Sequence, residues 1–133
     1  MKRFQQFVAE SPHETEAPVS VGQFFPLAPS LSIQPLIPDI KSAVVNGTLK
    51  TRVMTLSLKT LIPTQRTVSL PKVKTSADRW VNSTLPLVLL DRGKNMLLDG
   101  HHRACAAVFL GKTQDTFATI TSSQLADWQA GER

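Results

Sequence analysis

Five consecutive residues hold most of the reactive side-chain chemistry of this chain: Asp99, Gly100, His101, His102 and Arg103, within the run Leu97-Leu98-Asp99-Gly100-His101-His102-Arg103-Ala104. An acid, a glycine, two imidazoles and a guanidinium at this spacing suit an anion. If the leucines end a strand and the alanine-rich run after Gly100 is a helix, the five residues form the turn between them. A helix N-terminus presents unpaired N–H groups and a positive dipole end, both of which favour phosphate. Gly100 lets the backbone approach a ligand without a Cβ in the way. His101, His102 and Arg103 add donors at the same point, and Arg103 can clamp a phosphate through two parallel N–H bonds.

Asp99 is the odd member, because a carboxylate beside an anion site is costly unless it handles a proton or a metal. The candidate catalytic groups are therefore Asp99, His101 and His102, with Asp99 also a candidate Mg²⁺ contact. Plainer uses stand beside these. Asp99 can support the helix start through the dipole, worth about 0.3–1 kcal/mol, and the histidines can be ordinary first-turn residues. A histidine-ligated metal is disfavoured, since adjacent helical positions diverge by about 100° and His13 is the only other histidine. The single cysteine, Cys105, lies inside the helix and reads as a small core residue.

The elements that must position this turn follow from local pattern. Pro86-Leu87-Val88-Leu89-Leu90 and Met96-Leu97-Leu98 flank the polar turn Asp91-Arg92-Gly93-Lys94, which predicts a β-hairpin. His101–Leu110 has three alanines and no glycine or proline, and Gly111 stands where a helix C-cap belongs. Arg52–Leu58 and Thr116–Thr121 alternate as strands, and Ser122 or Ser123 caps a last helix through Trp128. Thr75-x-x-Asp78 has capping-box spacing and predicts a short helix over Arg79-Trp80-Val81. The order is strand, helix, hairpin, helix, strand, helix: a small α+β domain over residues 41–133.

Residues 1–40 contain six of the nine prolines, so the expectation there is an extended arm. Phe24, Phe25, Leu27, Leu31, Ile33, Leu36 and Ile37 make it too apolar for a free tail, and suit it to lie on the domain, on a protein partner or on a second copy. A length of 133 residues allows one domain. One cysteine, no signal-peptide core and no long apolar span lead us to expect a cytoplasmic protein with no membrane segment.

The net charge of +5 is unevenly spread. Residues 41–103 carry eleven Lys/Arg against Asp78, Asp91 and Asp99, between slightly acidic ends. Such a middle segment favours nucleotide or DNA phosphates through a salt-sensitive field.

The stretch LLDGHHRACAAVFLGK resembles the central motif of the ParB/sulfiredoxin superfamily, in which a strand ends in a Gly-x-x-Arg turn and enters an alanine-rich helix. Its Asp-Gly-His-His-Arg form is similar to that of the ParB-like serine kinases and of some plasmid and phage proteins. Upstream, RTVSLPKV (Arg66–Val73) is similar to the Arg…Pro…Lys-Val segment of sulfiredoxins, and the likeness runs over about residues 52–121.

The resemblance implies a ParB/sulfiredoxin-like mixed sheet with helices packed on it. It also implies a nucleotide site, for ATP or another NTP, with Gly100, His101, His102 and Arg103 around the phosphates and Arg66 and Lys72 as further contacts. By the same likeness Asp99 is the base or Mg²⁺ partner for hydrolysis or phosphoryl transfer, and metal-dependent DNA cleavage is a further activity of such proteins. Sulfinic acid reduction is not expected, because histidine stands where sulfiredoxins need cysteine. A partition clamp is not expected, because only a short tail follows residue 121. The glutamate that serine kinases place upstream is missing, as residues 41–98 contain none. The alternative to an enzyme is a non-catalytic module: a DNA-associated, partition-like regulator, or a protein-binding inhibitor or adaptor with a vestigial nucleotide pocket.

Overall fold

The computed structural model describes residues 18–80 and 84–132. The fold is α+β. Among these residues are seven strands, β1 (Pro18–Ser20), β2 (Arg52–Ser57), β3 (Leu61–Pro63), β4 (Thr67–Ser69), β5 (Leu87–Asp91), β6 (Lys94–Asp99) and β7 (Gln114–Thr121). Four helices accompany them, α1 (Ile37–Val45), α2 (Leu70–Asp78), α3 (His101–Phe109) and α4 (Ser122–Glu132). Five strands form one mixed sheet in the order β2-β7-β5-β6-β3, and β1 pairs with β4 in a separate antiparallel ribbon.

The expected hairpin is β5–β6. Its two-residue turn has positive φ at both Arg92 (53°) and Gly93 (83°), the backbone that a tight hairpin with right-twisted strands requires. Side chains alternate across these strands. Val88, Leu97 and Phe117 face one core with α2 and α3, while Leu87, Leu89, Met96, Leu98 and Ile120 face a second core with α1 and α4. Burial on both faces explains why β5 and β6 read as continuous apolar runs.

Helix α3 ends as its sequence indicates. Gly111 has φ 80°, its N–H reaches Val108 O, and the Lys112 N–H reaches Ala107 O, the paired bonds of a Schellman stop.

The helix expected after Thr75 is corrected. The helix runs earlier, over Leu70–Asp78, because Ser69 caps it by accepting the Lys72 N–H and Pro71 sits in the first turn, where its missing N–H costs nothing. Thr75 is in its last turn and donates its hydroxyl back to Pro71 O.

Residues 18–40 are not simply extended. They contain β1, 3-10 turns at Val21–Gln23 and Gln34–Leu36, and the first turn of α1. Helix α1 runs across residue 40, with Pro35 and Pro38 at N-terminal positions that tolerate proline. Val21, Phe25 and Ile40 are buried in the two cores. Residues 1–17 of the expected arm lie outside the described residues. No helix among the described residues is long and apolar enough to cross a membrane.

Candidate functional site

The strand-to-helix turn lies where two chain segments converge. β3 and β6 run parallel, with Pro63 opposite Leu97, so the chain leaves both strands at the same end of the sheet. Thr64 therefore meets His101. The Thr64 N–H donates to His101 Nε2 at 3.0 Å, and its hydroxyl donates to Leu97 O at 2.7 Å. Gln34 Nε2 donates to Thr64 O at 2.7 Å, so a residue only 1% exposed has its polar groups satisfied.

The neighbouring imidazole does the same job one element further on. His102 Nε2 accepts the Ser69 N–H at 3.1 Å, joining the start of α3 to the N-cap of α2. Each histidine thus uses one ring nitrogen as an acceptor, which requires the neutral ring there. Burial pushes His101 down to about 4, against a weaker upward pull from Asp99. His102 is also lowered, by burial and then by the Lys72 charge. With Nε2 accepting, each neutral ring keeps Nδ1 as its one donor.

Gly100 caps α3 with φ 83°, and a Cβ added there would lie 2.7 Å from Pro86 Cβ and 2.8 Å from Pro86 Cα. The space that its missing side chain leaves is thus taken by Pro86. Arg103 is held rigidly: its Nε donates to Asp115 Oδ2 at 3.3 Å, both side chains are nearly buried, and its guanidinium lies 3.8 Å from the Trp80 ring centroid. Arg103 Nη1 also donates to Trp80 O at 3.4 Å.

Between α2 and α3 opens a cleft of about 590 Å³, lined by Thr75, Ser76, Arg79, Thr84, Gly100, His102 and Arg103. It combines two guanidinium groups and three hydroxyls with the start of α3, and among the described residues its lining contains no carboxylate. The structure thus gathers three of the sequence-predicted residues, Gly100, His102 and Arg103. Lys72 stands near enough to His102 to act on its charge, but it does not line the cleft.

Arg66, His101 and Asp99 are also outside the lining. Arg66 follows β3, and its carbonyl accepts the Val21 N–H. Asp99 is half exposed and ion-paired with Lys41 of α1, Oδ1 to Nζ 3.4 Å. A single carboxylate already facing an ammonium does not fit a Mg²⁺ site, which wants free oxygen ligands. Cys105 is fully buried with its thiol pushed up to about 12 by desolvation, so it is a core residue and not a nucleophile.

Arg79, Thr75, Ser76 and Thr84 were missed from sequence. The signal that could have found them is Ser69-Leu70-Pro71, which sets the start of α2 and hence which of its residues reach α3.

No family model matches the chain, and no curated protein matches it. Among solved structures, the chain is similar to protein Atu1540 from Agrobacterium tumefaciens, with 15% identity over 62% of this chain and a TM-score of 0.44. The similarity spans 50% of the length of that protein.

Proposed function

We propose that the cleft between α2 and α3 binds the phosphates of a nucleotide, and that the chain is a nucleotide-binding module of the ParB/sulfiredoxin-like kind. The observation that carries this reading is the convergence of Arg79 and Arg103 with the start of α3 in a cleft whose lining, among the described residues, has no acid. Arg103 is pre-positioned by Asp115 and Trp80, so little side-chain entropy is lost when an anion arrives. The hydroxyls of Ser76 and Thr84 supply neutral donors around the same space, while that of Thr75 is spent on Pro71 O.

Binding is favoured over turnover. The sequence offered Asp99, His101 and His102 as the chemical groups. Asp99 faces Lys41 outside the lining, His101 is buried on Thr64, and His102 is committed to Ser69. We derive no step through Mg²⁺ at Asp99.

The test is calorimetric titration with ATP, ADP, CTP and GTP, with and without Mg²⁺, on the native protein and on Arg79→Gln. Saturable binding that weakens at least about tenfold in the variant, with folding unchanged by circular dichroism, supports the reading. No binding of any nucleotide, or equal binding by Arg79→Gln, overturns it. Phosphate release abolished by Asp99→Asn would replace the binding module with an NTPase.

A further inference from the structure

A second concavity lies outside the motif. Its volume is about 560 Å³, within the range of small-molecule sites, and its walls are mostly apolar, with Phe24, Phe25, Leu58 and Val108 among them. Among the described residues two lysines, Lys59 and Lys112, are its charged members, and no acidic residue lines it.

The walls come from three places in the chain. Phe24 and Phe25 follow the turn at Val21–Gln23, Leu58 and Lys59 belong to the 3-10 turn Leu58–Thr60, and Val108 and Lys112 flank the end of α3. A backbone bond joins two of these parts, Leu58 N–H donating to Thr113 O at 3.0 Å, and the third is closed on itself by Phe25 N–H donating to Val21 O at 3.0 Å. Phe25 and Leu58 are buried in the first core, with Phe24 and Val108 packed against it. The concavity is therefore a built feature of the fold.

Its charge pattern selects the occupant. An apolar wall alone would take any greasy group, but the two ammonium groups, on exposed residues, set the sign of the head. Lys112 is restrained by its own backbone bond to Ala107 O and stands 5.4 Å from the Trp80 ring centroid. Lysine acts as a point charge on an apolar stem, so each can line the wall with its methylenes and present its ammonium at the mouth. We infer that this concavity binds an apolar organic anion, an acyl carboxylate whose tail lies on Phe24, Phe25, Leu58 and Val108 and whose head pairs with Lys59 and Lys112. This site is separate from the nucleotide cleft, and its assignment does not rest on that reading.

The test uses decanoate, below its micellar range, with decanol as the neutral counterpart. Binding is read by calorimetry and by Trp80 emission in a Trp128→Phe background. Saturable decanoate binding, at least about tenfold tighter than decanol and weakened at least about tenfold by combined Lys59→Gln and Lys112→Gln substitutions, supports the assignment. Both lysines are exposed, so the double variant keeps the fold. No saturable decanoate binding, equal affinity for decanol, or unchanged affinity in the double variant overturns it.

Discussion

The cleft between α2 and α3 and the apolar concavity beside Lys112 have nearly the same volume, about 590 and 560 Å³, and each is lined by a cation that lies over the Trp80 ring. Their construction differs. The first is polar and draws on the contiguous run Gly100–Arg103, whose members also hold the fold together. The second is apolar and draws on residues between Gly22 and Thr113 that share no local pattern. In the first, altering a lining residue from the motif alters the scaffold; in the second, the charged residues are on the surface and can change alone.

The largest effect expected from this contrast is at Gly100. Gly100→Ala forces a side chain into a left-handed backbone and against Pro86, costing about 2–6 kcal/mol in urea denaturation from the two strains together. Arg103→Met leaves the nearly buried Asp115 without its partner, and a loss of about 3–5 kcal/mol is expected. Adding Asp115→Leu should recover much of that stability without restoring nucleotide binding. If Arg103→Met folds as stably as the native chain, the view that this residue serves both scaffold and cleft is wrong.

Acid should sharpen the same division. His101 titrates lower folded than unfolded, so below about pH 6.5 the unfolded chain binds the extra proton. Stability then declines as pH falls from about 6.5 toward 4 and levels off beneath, by about 3 kcal/mol in total, with His102 acting in the same direction. Denaturation midpoints at stepped pH read this, and His101→Gln, whose amide oxygen can still accept the Thr64 N–H, should flatten the curve.

The smallest effects are the selective ones. Arg79→Gln should lower nucleotide affinity about tenfold, equivalent to about 1.4 kcal/mol, with stability changed by less than about 0.5 kcal/mol and decanoate binding untouched. The paired lysine substitutions should do the converse. Cross-effects of similar size in both assays would join the two clefts into one site.

What could be read from sequence follows the same line between local and distant causes. The β5–β6 hairpin, the span of α3 with its Gly111 stop and β7 each rest on residues within a few positions, and each appears where expected, whereas α4 is capped not by Ser122 or Ser123 but by Thr121, which accepts the Gln124 N–H at 3.1 Å, and it runs past Trp128 to Glu132. Helix α2 starts earlier than Thr75-x-x-Asp78 indicates because Ser69, followed by Pro71 in the first turn, is the start signal that prevails. The three-residue strands β1, β3 and β4 are too short to show periodicity. At the site, the identity of the turn was legible in Gly100–Arg103, but the work of its histidines was not. Their acceptor roles exist only because β3 lies parallel to β6 and β4 leads directly into α2.

The strand order carries a consequence for the chain as it is made. Among the described residues β2, at the sheet edge, pairs solely with β7, Arg52 opposite Thr119 and Ser57 opposite Gln114, and β7 also forms the other flank of β5. At about 5–20 residues per second, roughly 3–12 s of synthesis separate the two strands. Over that interval β2 is an unmatched ribbon, while the hairpin and α3 already have their local partners. A nascent chain stalled before Gln114 would leave Met54 and Leu56, half-buried in the folded protein, uncovered on an open strand.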